Sequence, residues 1–124
     1  MNSRGYLASL AVMTLSSVAC GDVDPEEAVT ISQGVYGMTS YVNDVCSSEC
    51  EREPRSMTLL VKSLPQGMDV ASVTSNKEGF YEAALVPGDY RICTTFGRCT
   101  DFSVGTDELV RLDYEMSVGP GWSR

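Results

Sequence analysis

Histidine is absent from this chain. Its absence removes the usual general base, the usual proton shuttle and the commonest metal ligand together, and most familiar hydrolytic chemistry with them. Positive charge is scarce as well: 9 basic residues stand against 17 acidic ones, a net charge of -8, and no Lys/Arg cluster breaks the pattern. Such a surface repels phosphate backbones, so nucleic acid is not an expected partner. No Ser-x-x-Lys or Gly-x-Ser-x-Gly spacing occurs, which leaves serine without a positioned base. Helical periodicity is missing after residue 20. With 124 residues there is room for one small domain and an appendage, not for a second core. The expectation is a non-enzymatic chain without a cofactor.

Only one compact apolar run is present, residues 6–15 (YLASLAVMTL), and it is too short to span a bilayer comfortably. It follows a short polar start with one positive side chain, Arg4, and precedes small residues and a cysteine, Ser16-Ser17-Val18-Ala19-Cys20. That order is a secretory signal peptide, expected over residues 1–19. The run Ser17-Val18-Ala19-Cys20 resembles a bacterial lipobox, although Ser17 stands where that motif usually carries Leu and Leu15 lies two residues further back. The resemblance implies lipidation of Cys20, with acyl chains such as palmitate contributing about 0.8 kcal/mol per buried CH₂. The expected location is the cell envelope, bound to a bacterial membrane through Cys20 on its periplasmic or surface side. Residues 20–32 carry GDVDPEE, acidic and without an apolar period, and read as a solvated spacer. Asp22, Asp24, Glu26 and Glu27 could be imagined as a metal site, but they lack the glycine and acceptor offsets of a Ca²⁺ loop.

Beyond the spacer the pattern is that of strands. Residues 33–41 (QGVYGMTSY) form the first, with Gly34 and Gly37 implying a bulge, a close backbone approach or an edge position. Residues 51–55 (EREPR) read as a charged loop, and Glu49, Glu51 and Glu53 have nothing apolar beside them to shift a carboxylate pKa. Residues 57–61 are a strand ended by Leu64-Pro65-Gln66-Gly67, and residues 68–74 a weaker one. Asn76 to Gly79 then make a type I turn, and Tyr81, Ala83 and Leu85 alternate onto one face. After Pro87-Gly88, Tyr90 and Ile92 face the same core with Arg91 outward, and Phe102 and Val104 share a face opposite Asp101 and Ser103. The last strand alternates most cleanly, with Val110, Leu112, Tyr114 and Met116 on one side and Arg111, Asp113 and Glu115 on the other. Short strands at regular spacing predict an all-β fold, a small antiparallel Greek-key β-sandwich of about seven strands over residues 33–118, with residues 119–124 as a tail.

Four cysteines remain besides Cys20: Cys46, Cys50, Cys93 and Cys99. An even number in an exported chain points to disulfides, with three connectivities open. The favoured one joins Cys46 to Cys50 and Cys93 to Cys99, because residues 94–98 (TTFGR) look like a hairpin tip that sets its flanking cysteines opposite each other. Crossed pairing stays open. The Cys-x3-Cys and Cys-x5-Cys spacings suit neither a zinc knuckle nor a Cys-x-x-Cys redox site.

The run Ser75-Asn76-x-x-Gly79-x-Tyr81 followed by Leu85-x-Pro87-Gly88-x-Tyr90-x-Ile92 resembles the carboxypeptidase regulatory-like domains, the transthyretin-like or prealbumin-like β-sandwiches. The resemblance covers about 18 residues well, with Val35-Tyr36-Gly37-Met38 similar to the family's first strand and residues 110–116 to its last. It implies a seven-stranded sandwich without catalytic machinery, used as an accessory, spacer or adhesive module on exported proteins. The motif positions are turns and core and transfer no binding site. The expected role is therefore a structural or protein-interaction module whose partner is an envelope protein or a glycan. The alternative, a carbohydrate- or ligand-binding module, draws on loop aromatics: Phe96 beside Arg98 at the hairpin tip, Tyr41, and Trp122 in the tail. Packing could equally occupy them, with Phe96 folded onto the disulfide, Tyr41 in the core and Trp122 capping an open end of the sandwich.

Overall fold

The computed structural model describes residues 24–42, 52–116 and 121–124. Cys20, Cys46 and Cys50 lie outside the described residues, as do the expected signal peptide and the start of the spacer. No helix among the described residues is long and apolar enough to cross a membrane.

Alternating apolar side chains make strands that pack as two sheets. The first sheet is organised on β1 (Gly34–Val42), joined by β2 (Arg52–Pro54), β5 (Phe80–Ala84), β8 (Leu109–Arg111), β9 (Asp113–Met116) and β10 (Trp122–Ser123). The second holds β3 (Thr58–Ser63), β4 (Met68–Thr74), β6 (Gly88–Thr94) and β7 (Cys99–Val104) in the order β4-β3-β6-β7, antiparallel throughout. Counting β8 and β9 as one interrupted strand leaves seven main strands, with β2 and β10 as short additions. Leu59, Val61 and Ile92 from one sheet and Val35 from the other are 0% exposed. Burial of each such side chain contributes about 1.5–3 kcal/mol. Tyr81, Ala83, Leu85, Tyr90, Phe102, Val104, Val110 and Leu112 complete the cluster, as their alternation requires.

Several expectations are corrected. The first strand is no edge: β1 runs through the centre of its sheet. Its first half lies between β5 and β8 and its second half between β2 and β9. Its pairing with β8 and β9 is parallel, so the sandwich is antiparallel-rich rather than wholly antiparallel. The charged loop EREPR contains β2, whose Pro54 is tolerated because the strand is exposed and short. The last strand is interrupted at Leu112, which donates its N–H to the Tyr36 carbonyl at 2.9 Å.

The close-approach reading of the β1 glycines does hold. A Cβ on Gly37 would stand 1.8 Å from the Leu112 carbonyl oxygen. That carbonyl accepts the Tyr81 hydroxyl proton at 2.5 Å. A second buried polar knot centres on Thr39. Its hydroxyl meets Ser75 Oγ at 2.6 Å and the Arg55 carbonyl at 2.5 Å, tying β1 to the connections before β3 and β5. Asn76 closes the turn before β5, its carbonyl accepting from Gly79 N at 2.8 Å and its Oδ1 from Phe80 N at 2.9 Å.

The spacer reading fails from Asp24 onward. Asp24 caps a one-turn helix, α1 (Pro25–Ala28), by accepting from Glu26 N at 3.0 Å, and Pro25 at its start is buried. The physical reason is local: Asp-Pro-Glu-Glu places a capping acceptor, a proline preset for the first helical position and two acids at the positive end of the helix dipole. Thr30 then donates to the Glu82 carboxylate from both its N–H, at 2.7 Å, and its hydroxyl, at 2.5 Å.

Candidate functional site: the closed hairpin tip

β6 and β7 form a hairpin whose register sets Cys93 opposite Cys99. The two are joined by a disulfide across a Cα separation of 4.0 Å. The spacing argument for this pair is therefore right. Below the bridge, Tyr90 and Phe102 stack inward with ring centroids 5.6 Å apart. On the outward face Arg91 grips Asp101 through two contacts at 2.6 and 3.1 Å. The hydrogen bond from Arg91 holds the Asp101 carboxyl below its ordinary range, and the same bond raises the Arg91 guanidinium. Both side chains are about half exposed, so the pair orders the hairpin surface more than it stabilises the fold.

Above the bridge the chain turns through residues 95–98. Thr94 organises the turn from its own position: its N–H donates to the Arg98 carbonyl at 2.8 Å, its carbonyl accepts from Gly97 at 3.2 Å, and its hydroxyl accepts from Arg98 N at 3.0 Å. Phe96 projects from this closed loop and is 51% exposed. Its ring meets Tyr114 edge-on at 6.0 Å, and Tyr114 in turn meets Trp122 at 5.0 Å. The Trp122 indole N–H donates to the Arg98 carbonyl at 3.1 Å.

The structure thus brings Trp122, 24 residues further along the chain than Arg98, to the Phe96–Arg98 turn around one buried tyrosine. The three are not equivalent. Phe96 and Arg98 are exposed, whereas Trp122 is half-buried against the core with its N–H committed, and so closes that side of the sandwich. Tyr41 belongs elsewhere, its ring lying 4.7 Å from the Arg55 guanidinium carbon. Tyr114 was legible only as a core residue, and its part in backing the tip was missed. Gly121 held the available signal. Its φ of +95° and its position, where a Cβ would stand 2.4 Å from the Tyr114 ring, mark a chain folded tightly onto that tyrosine. Burial pushes the Tyr114 phenol above its ordinary range, with the Arg98 charge opposing.

The tip is bound to the rest of the hairpin covalently, which carries a prediction. Replacing Cys93 and Cys99 together by serine should lower stability by about 2 kcal/mol, since the closed loop is short. The single tryptophan is bonded to the tip through the Arg98 carbonyl, so its emission should shift to the red well before global unfolding in urea. An unchanged emission and midpoint would show that the bridge does not hold the tip.

Elsewhere the surface is shallow or self-paired. An open groove of about 680 Å³ runs beside β7, lined by Asp89, Asp101, Ser103, Glu108 and Arg124 among others. A smaller cleft of about 270 Å³ on the outer face of the first sheet is bordered by Arg52, Glu115, Arg111 and Asp113. These four pair among themselves, Arg52 with Glu115 and Arg111 with Asp113, each at 3.2 Å. Among the described residues no three His, Cys, Asp or Glu side chains cluster as a metal site. No protein-family model matches this chain, and no curated protein matches it.

Proposed function

We propose that this chain is a non-enzymatic, exported lipoprotein of the cell envelope. Its sandwich, of the carboxypeptidase regulatory-like kind, presents the Phe96–Arg98 tip to a protein partner. The observation that supports this is the tip itself: a half-exposed aromatic ring on a disulfide-closed turn, backed by Tyr114 and Trp122 and flanked by an exposed cation. An ordered ring loses little side-chain entropy when a partner covers it, which suits it to anchor an interface. Protein is preferred to glycan because Phe96 projects from a convex turn and borders neither of the two clefts described above. Neither of these clefts gives a sugar ring a concave wall at Phe96.

Two measurements test the reading. Metabolic labelling with palmitate should mark the chain and should fail for Cys20→Ala; an unlabelled wild-type chain removes the anchor. A photo-cross-linking residue at position 96 should give one protein adduct in cells. Phe96→Ala and Arg98→Ala should each weaken binding of that protein by about tenfold or more, with unchanged unfolding midpoints. Glycan-array binding that depends on Phe96 would instead favour the carbohydrate reading.

A further inference from the structure

From Asp24 onward the segment that leads to β1 lies on the sandwich. α1 packs against β1, Pro25 is buried, and Thr30 is held at Glu82 by two hydrogen bonds. Gln33 spans two turns, its amide donating to the Leu85 carbonyl at 2.9 Å and its Oε1 accepting from Asp107 N at 2.8 Å. Tyr36 stands opposite Glu82 in the register and so points out of the sheet with it, yet it is only 8% exposed. An outward tyrosine is buried only if something lies over it, and the docked segment crosses the sheet at this level.

We infer that this strap shortens the tether and holds the sandwich close to the membrane surface. The inference rests on the reading of Cys20 as the lipid anchor. As a free spacer the chain from Cys20 to Gln33 could reach about 45 Å, whereas with the strap docked the four steps from Cys20 to Asp24 reach about 14 Å. That length is less than the width of the domain, whose radius of gyration should be about 13 Å. The sandwich therefore stays within about one domain width of the bilayer. The strap also sets Glu26 near Arg111, a neighbour that adds to the hold of Asp113 on that guanidinium.

The test uses the full chain, exported and labelled with palmitate in a bacterial host, with membranes then treated with a glutamate-specific protease. Cleavage after Glu26 or Glu27 releases the sandwich. The wild type should release slowly. Glu82→Ala, which removes both acceptors of Thr30, should release about tenfold faster, since each hydrogen bond to a charged group contributes strongly. Glu82→Gln, which keeps one acceptor oxygen, should fall between. Thr30→Val should accelerate release in the same direction, and it stands in should Glu82→Ala not fold. Wild-type release at the rate of Glu82→Ala overturns the docked strap. Slow cleavage of a chain that carries no label overturns the anchor, and the closeness to the membrane with it, while the strap stands.

Discussion

Gly37→Ala is expected to lower the stability of the sandwich by about 3 kcal/mol, read as a fall in the urea midpoint followed by Trp122 emission. The added methyl would stand 1.8 Å from the Leu112 carbonyl oxygen and 2.7 Å from its carbon. Both are backbone atoms, so no side chain can swing away to relieve the contact. The only relief is separation of β1 from β8 and β9, its two parallel partners in the first sheet. Gly88→Ala is the matched control. There the nearest atoms are those of the Tyr90 ring at 3.6 Å and beyond, and the backbone is not left-handed. The control should stay within about 0.5 kcal/mol of the parent. Equal losses at the two positions would refute the close-approach account of Gly37.

The second large effect is expected at Tyr81, on the same carbonyl. Tyr81 is 1% exposed and fills the space between the sheets. Tyr81→Ala should cost about 4 kcal/mol through the cavity that it leaves. Tyr81→Phe keeps the ring and removes only the proton that Leu112 accepts, which should cost about 1–3 kcal/mol because a buried carbonyl is left without a partner. The phenylalanine variant also separates packing from ionisation. Burial, aided by the nearby Asp113 charge, pushes the Tyr81 phenol far above its ordinary range. Below about pH 10 the folded and unfolded chains both keep this proton, and the contribution to stability is complete. Above that pH the unfolded chain releases it first, so stability should fall by about 1.4 kcal/mol per pH unit from this group. In Tyr81→Phe that share of the alkaline slope should vanish, leaving what Tyr114 contributes in the same direction. A slope identical to that of the parent would show that Tyr81 ionises freely in the folded state.

These two positions illustrate how much of the fold the sequence carries. Alternation placed Tyr81, Ala83, Leu85, Tyr90, Ile92, Phe102 and Val104 in the core, where each is found. Turn chemistry placed Asn76 to Gly79 at a reversal that the Asn76 hydrogen bonds now account for. The glycine at position 37 could be read as needing a close neighbour, but not which neighbour. That neighbour, Leu112, is 75 positions further along the chain. The candidate site was partly legible in the same way: the hairpin and its disulfide follow from local spacing, and Phe96 and Arg98 were visible at its tip. The backing by Tyr114 was not, because a residue that alternates inward on a strand looks the same whatever it touches.

What the sequence determined by itself is the class of object. Period-two alternation, turn residues and cysteine spacing are decided within windows of a few residues; they specify strands and hairpins and favour the Cys93–Cys99 bridge that the structure contains. Tertiary structure alone decided three things: that β1 is central and has parallel neighbours, that EREPR supplies a strand, and that the acidic lead-in is a strap. The first and third depend on contacts made at long separation, 75 residues from Met38 to Asp113 and 52 from Thr30 to Glu82, and the second on pairing with β1. An acidic, proline-containing stretch reads as solvated when it is considered alone. It docks here because the sheet offers a carboxylate to a threonine and an outward-facing tyrosine to cover, a complement that only the folded chain assembles.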